Sequence, residues 1–136
     1  MRAAAIPTAG VLTGIAALHV GWGAGSSFPY SDPGSLADSV AGRRDVPARG
    51  DCFAVAGLLA CAAGIVADVV PIGTKMRRAG LLGVALVLGG RGSVGVAGRT
   101  GWIVPWTPSM RFVELDRRYY GPMCLLLAAG TLLSVS

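Results

Sequence analysis

The sequence predicts an all-α integral membrane protein: a four-helix up-down bundle with short surface helices in its first and third loops. Three observations lead there. The chain of 136 residues is 53% hydrophobic and 14% charged, and a soluble domain of this size carries about a quarter charged residues. The apolar residues come in blocks long enough to cross a bilayer. The basic residues cluster between those blocks rather than within them. Together these predict one membrane domain over residues 1–136, with spans at about 5–24, 52–70, 79–98 and 119–135.

The first span, about 5–24, carries Gly10, Gly14, Ala17 and Gly21 at 4-3-4 spacing, a stripe that lets helix backbones approach closely in lipid. Its start resembles a signal peptide. Its length, with His19 and Trp22 inside it, argues for a retained span. Loop one, residues 25–50, opens with the turn-forming run Ser26-Ser-Phe-Pro-Tyr-Ser-Asp-Pro-Gly. Residues 35–41 suit a short helix lying on the domain, and the charged stretch from Arg43 to Asp51 should be wet. The second span runs from Cys52 to Val70 and stops at Pro71, with Asp51 at its start, where a carboxylate suits the helix dipole. Loop two is short and holds Lys75, Arg77 and Arg78.

The third span, Ala79 to Gly98, contains one full charge, Arg91. An arginine in a span costs roughly 2.5–3.5 kcal/mol on insertion scales, so it faces the bundle, finds a partner or snorkels. Gly80, Val84, Val87, Gly95 and Gly98 share its helix face and leave room for a guanidinium. Loop three, about 99–118, joins an irregular interfacial run around Trp102 and Trp106 to a short helix at 109–118. The fourth span, 119–135, has Pro122 in its first turn, where proline is tolerated.

The net charge of +5 reads as a topology signal, because no basic motif with interleaved aromatics points to nucleic acid. Cys52, Cys61 and Cys124 form no CxxC and no Cys/His cluster, so no metal site is expected. A Cys52–Cys124 disulfide and buried free thiols both remain open, since the two residues begin different spans on the same side. No dinucleotide or P-loop motif occurs, so no cofactor is expected.

The two ends of the expected bundle differ. Every aromatic residue lies towards loops one and three. His19 is expected roughly 7 Å below that end and Arg91 roughly 10 Å, at 1.5 Å per residue. Arg91 is expected to pair with Asp116 at this mouth, with Glu114 and Asp51 in reserve and His19 near enough to share a ligand. The ligand-binding candidates are therefore His19, Trp22, Arg91, Asp116, Tyr119 and Tyr120. An interfacial belt explains the aromatics equally well, a main-chain bond explains His19, and an ion pair or a snorkelling side chain explains Arg91.

The run Leu115-Asp-Arg-Arg-Tyr-Tyr-Gly-Pro-Met-Cys-Leu-Leu-Leu127 resembles the closing motif of a bacterial membrane family known as domain of unknown function 3995. Leu18-His-Val-Gly-Trp-Gly23, Pro29, Pro47 and Arg91-Gly92 resemble its other marks. The resemblance implies a four-span protein of the inner (plasma) membrane and assigns no activity, so no catalytic residue carries over. Both termini are expected in the cytoplasm, because loop two is compact and its charges abut two spans.

Three functions compete. A binding or transport module for a small anionic or lipid-like molecule would use Arg91 for the anion, His19 to tune it and the tryptophans as a mouth. A structural or accessory subunit would pack its small-residue stripes on itself or another membrane protein. A membrane enzyme would use His19 as base or acid, oriented by Asp116 or Asp51; no nucleophile or metal marks this third reading. The lipid bilayer is the partner common to all three.

Overall fold

The computed structural model describes residues 2–136. Met1, part of the signal-like start, lies outside them. Among the described residues every regular element is helical: α1 (Arg2–Gly23), α2 (Pro33–Ala41), α3 (Arg49–Ala67), α4 (Thr74–Val96), α5 (Met110–Leu115) and α6 (Gly121–Leu133). A 3₁₀ turn covers Thr100–Trp102 and a π-helical turn Asp116–Tyr120. Three helical stretches are long and apolar enough to cross a membrane: Ala3–Gly23, Arg49–Ala67 and Thr74–Val96.

The boundaries follow local chemistry. Asp32 caps α2 by accepting the Ser35 backbone N–H, with Pro33 in the first turn. α3 ends three residues before the expected Val70. Asp68 takes a left-handed conformation, with φ of 60°, and Val69 N–H bonds back to Gly64 O. This is a Schellman stop, here built on aspartate instead of glycine. Hydroxyls inside the helices bond to their own backbones, as in Thr8 to Ala4 O and Thr131 to Leu127 O, so they add little polarity to the helix surfaces.

The last segment corrects an expectation. The surface helix expected in loop three and the helix expected as a fourth span are not separate. α5, the π turn and α6 form one continuous helical run from Met110 to Leu133. α6 alone has 13 residues and falls short of spanning length. Pro122 has no N–H to offer Arg118 O, so the usual ladder cannot continue there. The backbone widens instead, and Gly121 N–H reaches Asp116 O five residues back.

α1 packs mainly on α3, and α4 on α6. Gly23 at the end of α1 faces Phe53 near the start of α3, and Gly80 early in α4 faces Ile65 late in α3. Thr8 near the start of α1 meets Gly130 near the end of α6. The apolar core is Ala9, Leu12, Ala62, Ala63, Val66, Leu81 and Leu127, all in the half towards loop two and the termini. Large side chains such as Leu58, Leu86 and Leu126 point outward.

Two charged groups organise the loop-two end. Arg77 Nε sits 2.8 Å from Asp68 Oδ1 and also donates to Ile65 O, while its other nitrogens donate to Val66 O and Ser134 O. One guanidinium thus ties the end of α3 to the end of α6, satisfying carbonyls that a helix terminus leaves open.

Candidate functional site

Arg91 lies five residues before the end of α4, on the face towards α6. Its Nη1 donates to Asp116 Oδ2 at 3.1 Å, and Nη2 lies 3.0 Å from Oδ1. The Nη2 contact is ionic: no donor is aimed at Oδ1 with hydrogen-bond geometry. Thr100, in the 3₁₀ turn just past α4, donates its hydroxyl to Asp116 Oδ2. Asp116 is fully buried, whereas the Arg91 side chain keeps 30% of its surface open.

The pair exists because backbone gives way to it. A Cβ at Gly95, one turn beyond Arg91, would lie 2.7 Å from Asp116 Oδ1 and 2.9 Å from Arg91 Nη1. A Cβ at Gly92 would meet Gly121 O at 2.8 Å, and one at Gly121 would meet Val96 N at 2.7 Å. Glycines on both helices therefore let the backbones touch, and the π turn starts at Asp116 itself. The result is a compensated charge. Arg91 is matched by Asp116, so it offers a ligand little net attraction.

His19 and Trp22 form a second centre. Their rings lie 4.7 Å apart. His19 Nδ1 donates to Ile15 O at 2.8 Å, since a carbonyl oxygen can only accept. Trp22 Nε1 donates to Phe28 O at 2.7 Å. The two rings line a cavity of about 110 Å³ with Leu36, Val40, Pro47 and Cys52, and Asp51 lies at the same cavity. Arg91, Asp116, Tyr119 and Tyr120 do not line it. The expected sharing of one ligand between His19 and the ion pair is therefore not what the structure shows. The reason is helix pairing: His19 faces α2 and α3, and Arg91 faces α6.

The third centre is a cap over this end, made by α2 and loop three. Trp106 Nε1 donates to Ala41 O at 2.8 Å, and Ser109 N–H to Gly42 O at 3.1 Å. The Tyr120 hydroxyl donates to Ser39 O at 2.9 Å. Gly42 has φ of 66°, and a Cβ there would come within 2.9 Å of both Phe112 Cβ and Ser109 N. The turn needs glycine twice over, for conformation and for space. A groove of about 650 Å³ runs along this seam, lined by Arg43, Arg44, Trp106 and Thr107 among others.

The remaining sequence candidates separate. Tyr119 points outward, 61% exposed, while Tyr120 belongs to the cap. Glu114 pairs with Arg118 at 2.7 Å on the surface. Cys52, Cys61 and Cys124 are free thiols. Among the described residues no three His, Cys, Asp or Glu side chains gather as metal ligands would. Sequence reasoning missed Thr100, Gly92, Gly121 and the cap bonds. The glycines were visible beside Arg91-Gly92 and Tyr120-Gly121; the threonine carried no signal.

The family model described as protein of unknown function DUF3995 matches residues 12–131. The chain belongs to this family. The match takes in His19, the Arg91–Asp116–Thr100 centre and the whole cap, so each centre is part of the DUF3995 domain. Neither a curated protein nor a solved structure matches the chain.

Proposed function

We propose that this DUF3995 protein is a multi-pass inner-membrane protein whose capped end binds a small anionic or lipid-like molecule. Four spans in an up-down bundle, with both termini cytoplasmic, complete the reading. The outward-facing leucines suit lipid better than water. The run from Met110 to Leu133 is roughly 36 Å long at 1.5 Å per residue, enough for a fourth crossing. Reporter fusions after Lys75 and after Pro108 test the orientation. A cytoplasmic signal from the Pro108 fusion alone would reverse it.

One observation carries the binding reading: the arginines inside the bundle are spent, and those at the cap are not. Arg91 is matched by Asp116, and Arg77 by Asp68 and three carbonyls. Among the described residues Arg43 and Arg44 form no ion pair, yet both line a groove beside Trp106. A cleft of about 580 Å³ at the other end contains Asp68 and Arg77, but these charges answer each other, so we favour the cap. Lipid and metabolite mass spectrometry of the purified protein is the test. One molecule bound per chain is the expected result, and a chain that purifies empty ends the reading.

A second reading, an accessory subunit, draws on α1. No atom lies within 4 Å of where a Cβ would stand at Gly10 or Gly14, so part of the small-residue stripe is open for another helix. Co-purification with one fixed membrane partner would favour it.

A further inference from the structure

We propose that the groove between α2 and loop three is a phosphate site, shaped for the headgroup of an anionic phospholipid or for a soluble phosphate; the proposal rests on the binding reading above. One wall is a single face of α2 and its stop: Gly34, Asp38 and Gly42, four residues apart each time. The other wall is Trp106, Thr107 and Ser109 from loop three, and Arg43 and Arg44 complete the lining. The volume of about 650 Å³ is that of a small-molecule pocket.

The guanidinium of Arg43 is held in advance. Trp106 is fixed by its bond to Ala41 O, and the Arg43 guanidinium carbon lies 4.6 Å above the Trp106 ring. The ring supports the cation from behind without using any N–H, so the donor fork stays available. A planar fork of this kind matches two oxygens of a phosphate, and Arg44 beside it adds a second charge. Asp38 opposes a bare anion. Its carboxylate instead suits a hydroxyl donor next to the phosphate, as a glycerol headgroup provides. The surroundings point to the membrane boundary. Arg99 stacks in the same way at 4.8 Å on Trp102, which is exposed, an arrangement that suits a membrane–water boundary.

The test uses the full chain in detergent and native mass spectrometry. The probes are phosphatidylglycerol, phosphatidylcholine and inorganic phosphate. Phosphatidylglycerol should bind the wild type at one copy and outcompete phosphatidylcholine. Replacing both arginines, Arg43→Gln with Arg44→Gln, should weaken it about tenfold, as loss of charge-assisted bonds implies. Arg44 is exposed and, among the described residues, forms no ion pair, so Arg44→Gln alone tests the site without risk to folding and should show a smaller loss. Arg111→Gln, an exposed charge at the same end, should change nothing. Competition by inorganic phosphate at constant ionic strength would assign the site to soluble phosphates, and its failure to compete would assign it to lipid. Undiminished binding in the double variant overturns the proposal. If the wild type carries a ligand and the double variant keeps it, this site fails alone; if the wild type carries none, the binding reading fails with it.

Discussion

The α4–α6 contact and the α1–α3 contact each join two helices, and they do so by different physics. α1 meets α3 through alanine, leucine and valine: Ala9, Leu12 and Ala16 against Ala56, Ala62, Ala63 and Val66. α4 meets α6 and the π turn through glycine and charge: Gly92, Gly95 and Gly121 around Arg91, Asp116 and Thr100. On the proposed membrane placement, apolar side chains gain little by leaving one hydrocarbon for another, and the first contact then depends on packing alone. The second depends on compensation. A buried carboxylate is tolerable only while its donors stay in place, and they stay only while the backbones remain close.

The sharpest break in this comparison is Asp116→Ala. It strands the Arg91 charge and should cost on the order of 3–5 kcal/mol, read as a large drop in detergent melting temperature. Arg91→Ala should cost a similar amount, and the double variant less than the sum. Strict additivity would show that the two side chains are not coupled.

Next come the packing positions. Leu12 is fully buried in the apolar core, and Leu12→Ala should cost about 1–3 kcal/mol, mostly through the cavity left behind. Gly95→Val places carbon where Asp116 and Arg91 now stand and should cost about as much by forcing α4 from the π turn. The two differ in salt and pH response: only the Gly95 variant disturbs a charged pair. Gly14→Ala, with open space over it, should shift stability by no more than about 0.5 kcal/mol. A large loss there would mean that another helix covers α1.

The smallest effect lies outside the bundle. Hydrogen bonds from the Ser35 backbone and hydroxyl hold the Asp32 carboxyl below its ordinary value of 3.8. A lowered folded pKa stabilises the α2 cap fully above that ordinary value, and the contribution fades as pH falls through the folded pKa. Protection of the Ser35 amide should therefore weaken below about pH 4, while an Asp32→Asn variant shows no such acid dependence.

Much of this was legible along the chain. Three long apolar helices, the turn after Gly23, the short helix near Ser35 and the family resemblance all rest on contiguous residues. The mouth was read as one cluster of polar, aromatic and acidic groups, with Asp51, Glu114 and Asp116 beside His19 and Arg91. His19 and Arg91 belong to different helix pairs, and a count of residues from the membrane edge measures depth alone. Neither the position of Trp106 beneath Arg43 nor that of Thr100 against Asp116 could be read from spacing, because irregular loop backbone placed them.

The sequence by itself determined that the chain is helical and that three helices are apolar enough to span a bilayer. Such properties sum over neighbouring residues, through backbone bonds four apart and hydropathy averaged along a run. Tertiary structure decided the rest: that Arg77 ties α3 to α6, that Pro122 widens the helix into a π turn, and that Arg91 and His19 look in different directions. Each residue turns a helix face by about 100°. A side chain's partners therefore depend on how each helix is rotated against its neighbours, and close glycine contacts between distant segments set that rotation.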